Sequence, residues 1–535
     1  MRRAMISVAM LALGAGFFGA ALARSDADGA IAKIRRGGTF RIAYINSLFT
    51  SIDPALALWG LDSEQFVEPT CGQLLNFPDR NPPAGLRIRP ELASGYTVSA
   101  DGRRYTFTIR PGQRFSNGAP VKAQNFAHAF VRVLAPSMQS YGASLLEEVV
   151  GAKKAPEGQL PAGISARGNR LVIRLARPVP DFAARMTLSL FCAVPSNLPI
   201  DPEGVDAPLH AAGPYYVAEY VPGRRLVLER NRYYRGSRPH HVDRFVVDFT
   251  AADSREVIQR VKRGTADWGI EDENGFPKAN ELRGSRSQFY VRSGHGLFGF
   301  YLNSGRPLFR RNARLRRAVN FAVDRSALLR EFGVRLTGRL TDQYLPPTLP
   351  EFRDARIYPL RKPSVKKAKA LARGRLRSGK AVLYIRDDPI YRSQAQVLKR
   401  NLAAIGLEVE ITVWSPGAYY RKVFQRGEPW DIAQVQWIPD YPDPYSYLNL
   451  LFHSSSGSNP SFASSKYDRL LTRAARLHGT TRYRTYGNLD VRLARDGAMV
   501  AAFYANVPTF VSRRVDPRCM VLRPYLDLAA VCLKR

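Results

Sequence analysis

The sequence predicts an α/β protein of more than one domain, and three observations carry that prediction. The chain has 535 residues, with 45% hydrophobic and 11% aromatic content. That is too long for one core and too apolar for a disordered chain. Runs such as Gly37–Tyr44 and Arg104–Arg110 alternate with the two-residue period of half-buried strands. The segment Ala381–Val413 reads as strand, helix and strand, with the strands at Ala381–Ile385 and Leu407–Val413 and the helix at Ser393–Ile405. Such a unit belongs to an α/β layer.

The first elements concern export. Arg2 and Arg3 precede an apolar, Gly-rich run from Ala4 to about Ala20, then Ala21-Leu-Ala23. This is the pattern of a cleaved secretory signal peptide over residues 1–23. No Cys follows Ala23, so no N-terminal lipid anchor is expected. Export permits disulfides, and there are four cysteines. Cys519 and Cys532 flank Arg523-Pro-Tyr-Leu526, where a turn can bring them together. Cys519–Cys532 with Cys71–Cys192 is the favoured pairing of the three that four cysteines allow. No C-x-x-C is present, so no metal cluster and no cofactor is expected.

Further elements follow in order. Asn46–Pro54 reads as a loop after the first strand. Pro90–Gly102 reads as strand and turn with Asp101-Gly102 as a hairpin signal, Arg104–Arg110 is its partner strand, and Lys122–Leu134 has helical spacing. Asn169–Leu175 is a strand and Pro180–Leu190 a helix. Strands are expected at Gly213–Val217, Arg225–Arg230, Arg244–Phe249 and Leu297–Asn303. Ser254–Arg263 is a helix stopped by Gly264. One long helix is expected from Asn312 to Phe332. Helices at Ser465–Leu477 and Thr485–Asp496 lead to a last strand, Met499–Tyr504.

Catalytic signatures do not survive inspection. Gly294-His-Gly296-Leu-Phe-Gly299 matches a dinucleotide fingerprint but leads into a strand, where no helix N-terminus can meet a phosphate. Ser364-Val-Lys-Lys367 has none of the companion motifs of a serine acyl-enzyme. His240, His241 and Asp243 read as surface polar residues, with metal binding a minor option. An enzyme is not expected. Lys and Arg number 80 against 45 Asp and Glu, a net charge of +35. The cations are scattered along the chain and read as a solvated basic surface. No nucleic-acid module accompanies them.

The stretch Trp437-Ile-Pro-Asp440-Tyr-Pro-Asp443-Pro444 follows an apolar strand, Ile432–Trp437. Asp and Pro end the strand and leave a carboxylate at its tip. A carboxylate among indole and phenol rings suits a cationic amine. From these residues alone, a plain Asp-Pro turn packed by aromatics is the favoured reading.

Several blocks, in order, resemble the extracytoplasmic solute-binding proteins of ABC importers, family 5. They are Gly37–Ile42 with Ile52-Asp-Pro54, Arg89–Gly118, Gly213-Pro-Tyr-Tyr216, Leu228–Gly236, Arg263–Asp267, Asn303 with Arg314–Arg325, and Trp437–Pro444. The resemblance implies a two-lobed periplasmic-binding-protein fold with hinge strands and a third domain inserted in the first lobe. Lobe I would comprise 37–76, 213–300 and 500–535, the inserted domain 77–212, and lobe II 301–499. The crossover strands would be Phe298–Asn303 and Met499–Tyr504.

The resemblance also implies a site. Asp440 would pair with a ligand ammonium, and Gln436 and Trp437 would offer backbone to an extended ligand. Asn46, Ser47 and Ser51 would line the other side, with Tyr441 and Tyr419 as walls. The expected function is a periplasmic receptor that captures a small peptide or other amine-bearing solute by hinge closure. Its partners would be an inner-membrane permease and ATPase, and it would act as a monomer without nucleic acid. A metal chelate, haem or another non-peptide solute is the alternative ligand. A polyanion-binding envelope protein is a separate class resting on charge alone. The chain departs from the family at Glu68–Leu75, at Pro416-Gly417 and in its charge.

Overall fold

The computed structural model describes residues 34–535 except 46–48, 50, 58–60, 82–83, 271–287, 334–336, 460–461, 522–525 and 535. The expected signal peptide therefore lies outside the described residues. Among the described residues, no helix is long and apolar enough to cross a membrane.

Lobe I is built on a five-stranded sheet in the order Trp268–Ile270, Thr39–Tyr44, Arg244–Asp248, Arg225–Arg230, Tyr215–Val221. Thr39–Tyr44 runs parallel to both neighbours, and the remaining pairs are antiparallel. Phe40, Ile42, Phe245 and Val247 join C-terminal Val511, Leu526 and Leu533 in one core. The last stretch of chain thus seals the lobe that the first strand begins.

The inserted domain carries a four-stranded antiparallel sheet, Ala93–Val98, Arg104–Ile109, Arg170–Arg174, Ile164–Arg167. The helix Ala123–Leu134 lays Phe126, Phe130 and Val133 against it, all three fully buried. The helix expected at Pro180–Leu190 is shorter, Phe182–Arg185, followed by a 3-10 turn at Ser189–Phe191. The Thr187 hydroxyl donates to the Ala184 carbonyl at 2.6 Å, a local bond of the kind that competes with helix continuation. Buried links tie this domain to lobe I, among them an ion pair and a disulfide. Arg132 donates to both carboxylate oxygens of Asp53, at 2.8 and 2.5 Å. Cys71 and Cys192 form a disulfide with Cα atoms 5.4 Å apart, and Cys519 pairs with Cys532 at 5.6 Å.

Lobe II has a six-stranded sheet in the order Gly338–Leu340, Met499–Phe510, Phe289–Leu302, Ile432–Trp437, Lys380–Arg386, Glu408–Trp414. The long helix expected at 312–332 is two helices, Ala313–Ala322 and Arg325–Phe332. Val323 turns extended and the Asp324 side chain accepts from the Ala327 N–H at 2.9 Å, capping the second helix. Arg325, fully buried, donates to the carbonyls of Asn320, Thr341 and Ala501 and so fixes the break.

The crossover strands are longer than the sequence suggested. Phe289–Leu302 and Met499–Phe510 pair antiparallel from Phe289↔Phe510 to Tyr301↔Met499. Their 297–302 and 499–505 portions belong to the lobe II sheet, since they also pair with Ile432–Trp437 and Gly338–Leu340. The change of lobe therefore falls in the ribbon 289–293 with 506–510, not at 298–303 and 499–504. At its far end Val511 bridges to Trp268 of the lobe I sheet.

Two outcomes check these links. Arg132→Met leaves the Asp53 carboxylate buried without its partner, a loss of ~3–5 kcal/mol in denaturant unfolding. The double variant Asp53→Asn/Arg132→Met recovers part of it, because no charge is then stranded. In a non-reduced digest, peptides spanning Cys71–Cys192 and Cys519–Cys532 appear as cross-linked pairs. Four alkylatable thiols in the denatured, non-reduced protein would contradict both disulfides.

Candidate ligand-binding site

Ile432–Trp437 ends where Pro439, Pro442 and Pro444 remove ladder donors. The chain folds back through bonds of its own. Trp437 Nε1 donates to the Ser446 carbonyl at 2.9 Å, and Ser446 Oγ donates to the Tyr441 carbonyl at 2.9 Å. The two carboxylates of this loop meet different surroundings. Asp443 accepts from the Tyr445 N–H at 2.8 Å, capping the helix Pro444–Phe452. It also receives both terminal nitrogens of Arg482, at 2.8 and 2.7 Å. Asp443 is a structural residue.

Asp440 points to the inserted domain, where its Oδ2 accepts from the Tyr141 hydroxyl at 2.8 Å. None of the ion pairs among the described residues uses it. Although the residue keeps some surface open, packing around its carboxyl pushes the pKa from 3.8 up to about 6. The Tyr141 bond and the more distant Arg185 charge pull the other way. The neighbouring Tyr441 donates to Asp181 Oδ2 at 2.5 Å, and Arg185 Nε donates to the same oxygen at 2.9 Å. The Tyr441 ring lies in the core of the inserted domain. Tip residues of lobe II thus reach into the inserted domain. Glu64 lies nearby, fully buried against Ser189, and burial raises its carboxyl to about 8. The Asp440 charge adds to that rise.

The other expected residues are distributed as follows. Gln436 Oε1 accepts from Tyr391 at 2.8 Å, and Gln436 and Trp437 pair through the backbone with Phe298 and Leu297. On the opposite edge, Lys380–Arg386 meets this strand at Ile432 and Ala433, so the described strand pairings leave 434–437 unextended on that side. Tyr419 is buried in the lobe II core and its hydroxyl donates to the Gln434 carbonyl. The structure makes it a support for the strand and not an open pocket wall. Tyr441 is likewise a buried contact between lobe II and the inserted domain. Ser51 Oγ accepts from the Asp53 N–H at 3.0 Å, and its N–H donates to Ser63. It orders the loop that carries Asp53. Asn46 and Ser47 lie outside the described residues.

Sequence reasoning missed Tyr141, Asp181, Arg185 and Glu64. Tyr141 lies 299 positions from Asp440 along the chain, and no local pattern marks it. Glu68, in the segment that departs from the family, pairs with buried Arg238 at 2.6 Å within lobe I, and Arg238 also reaches Asp79 of the inserted domain at 3.4 Å.

The two carboxylates of the loop predict opposite stability effects. Asp443→Ala strands the buried Arg482 guanidinium and costs ~3–5 kcal/mol in denaturant unfolding. Asp440→Ala at pH 7.5 leaves the melt unchanged or slightly raised, since burial opposes its charge. The Asp440 carboxyl holds its proton more tightly folded than unfolded. Its contribution is therefore favourable below pH 3.8 and is lost as pH rises through about 6. Equal destabilisation by the two substitutions would contradict this division.

The comparisons agree with this architecture. Residues 87–459 match the family model described as bacterial extracellular solute-binding proteins, family 5. The oligopeptide-binding protein OppA of Bacillus subtilis is 25% identical over 396 residues, covering 69% of this chain and 70% of its own. The probable D,D-dipeptide-binding periplasmic protein DdpA of Escherichia coli is 25% identical over 496 residues, 89% of this chain and 90% of its own. Among solved structures, clavulanic acid biosynthesis oligopeptide binding protein 2 superposes with a TM-score of 0.80 at 23% identity, covering 94% of this chain and 96% of its own. With that family match spanning well over half of its length, this chain belongs to the family 5 bacterial extracellular solute-binding proteins.

Proposed function

We propose that the protein captures a peptide or similar solute through its free ammonium group, between the two lobes, and presents it to an ABC permease and its ATPase. The observation that carries this reading is Asp440. Its carboxyl is packed at the meeting of lobe II and the inserted domain, bonded to a hydroxyl and ion-paired to nothing among the described residues. Burial without a cation is what raises it to about 6. An ammonium there would restore the ionised form and gain a charge-assisted hydrogen bond.

The backbone edge at 434–437 supports an extended ligand, which would add as a strand beside Gln436 and Trp437. The work is binding and closure, with no bond made or broken. Relatives named for oligopeptide and dipeptide binding match this chain over 69% and 89% of its length. The N-terminal pattern of residues 1–23 supports export to the periplasm, and the protein is proposed to act there as a monomer.

Titration calorimetry with trialanine and N-acetyl-trialanine tests the reading. Asp440→Ala weakens trialanine binding by roughly two to three orders of magnitude, the cost of stranding one partner of a buried pair. N-acetylation hurts the wild type comparably and the variant little, because both changes remove the same pair. Wild-type affinity falls as pH drops below about 6, where protonation of Asp440 competes with the ammonium. Unaltered trialanine affinity in Asp440→Ala would make Asp440 a turn residue and defeat the amine clamp.

A further inference from the structure

The excess cations are not spread evenly once the chain is folded. Residues 355–386 contain eleven Lys and Arg and no carboxylate, and residues 305–323 contain six Arg and no carboxylate. The helices of these stretches, Ala313–Ala322 and Val365–Ala372, pack on each other in lobe II. Three bonds hold their loops together. Asn312 Nδ2 donates to the Arg375 carbonyl at 2.9 Å, Arg377 to the Arg310 carbonyl at 2.8 Å, and Arg314 to the Ala370 carbonyl at 3.4 Å.

Arg310, Arg311, Arg314, Arg373, Arg375 and Arg377 are all exposed there, and Lys366 and Lys369 extend the face along the helix. None of these eight has a carboxylate partner among the ion pairs of the described residues, whereas Arg41, Arg132, Arg185, Arg238 and Arg482 elsewhere are all paired. We propose that this face of lobe II docks on an anionic phospholipid bilayer.

Two features favour a bilayer over nucleic acid. Single-stranded nucleic acid needs aromatic rings to stack its bases, and the exposed large hydrophobic residues all lie elsewhere on the described surface. Near the face, Leu329, Leu340 and Leu360 line a cleft of about 490 Å³ with Arg330 and Arg361, both exposed. An apolar floor beside guanidinium groups suits a phosphate headgroup with its attached glyceride. Flexible Lys and Arg side chains also suit a fluid array of phosphates, which needs no fixed register. Docking of this kind would hold the protein beside a membrane-embedded partner.

The test is vesicle flotation of the full chain, with phosphatidylcholine vesicles and with vesicles of 30% phosphatidylglycerol, at low and high salt. The wild type floats with the anionic vesicles only, and high salt releases it. The variant Lys366→Gln/Lys369→Gln/Arg373→Gln/Arg375→Gln loses affinity by about a hundredfold or more, since each cation near an anionic surface contributes separately. The control Arg87→Gln/Arg89→Gln/Arg167→Gln/Arg170→Gln removes as many exposed charges from the inserted domain and stays within about threefold of wild type. Both retain the wild-type melting temperature and trialanine binding, so failure here leaves the ligand reading standing. Equal loss in the two variants would reduce the effect to net charge and overturn the proposal. So would equal binding to neutral vesicles, or wild type that binds heparin but not phosphatidylglycerol.

Discussion

The antiparallel pairing of Phe289–Leu302 with Met499–Phe510 is the constraint on which the rest of the molecule depends. These strands are central in the lobe II sheet and then continue as a ribbon to lobe I. The approach is close at Gly299, where a Cβ would collide with the Val500 carbonyl oxygen. A side chain there would push the strands apart, so the glycine serves packing and not nucleotide binding. The pairing shifts register between Ser293 and Leu297, at the departure from the lobe II sheet. Irregularities of this kind add twist and let a strand bend. A two-stranded ribbon with such a break can rotate with little loss of packing, the mechanical requirement of hinge closure.

The loop that carries Asp440 inherits its position from that pairing. Leu297 and Phe298 fix Trp437 and Gln436, and the next residues leave the sheet at a set point. Two carboxylates three positions apart then take opposite roles. Asp443 turns inward to a bidentate arginine and a helix N-terminus, where its charge is satisfied. Asp440 turns toward Tyr141, where burial outweighs the hydroxyl and the charge is poorly satisfied. A poorly satisfied charge in a lobe junction costs stability and favours a cationic ligand. Tyr441 with Asp181 and Arg185 adds a polar contact inside an apolar core, which gives the lobes a defined meeting point.

Charge follows a related logic. Cations needed inside the fold are matched: Arg132 by Asp53, Arg238 by Glu68 and Asp79, Arg482 by Asp443. Arg325 is buried with backbone carbonyls as its acceptors. The surplus remains on the surface, and the packing of two lobe II helices concentrates part of it on one side.

The sequence by itself determined the α/β class, most strands and the order of blocks that identifies the family, and it favoured the disulfide pairing that the folded chain forms. Those features are written in local periodicity, in turn residues and in short motifs. It also determined that a carboxylate stands at the tip of Ile432–Trp437, because Pro and Asp end a strand wherever it lies. Tertiary structure decided what local pattern cannot encode. The helix expected at 312–332 broke because Arg325 is drawn to carbonyls on distant segments, the farthest being Ala501. The crossover moved to 289–293 and 506–510 because strand length depends on which partner lies alongside. Tyr419 became core, and Tyr141, Asp181 and Arg185 became neighbours of the Asp440–Tyr441 turn, through contacts spanning hundreds of residues. Burial and partner geometry, properties of the folded chain alone, separate Asp440 from Asp443.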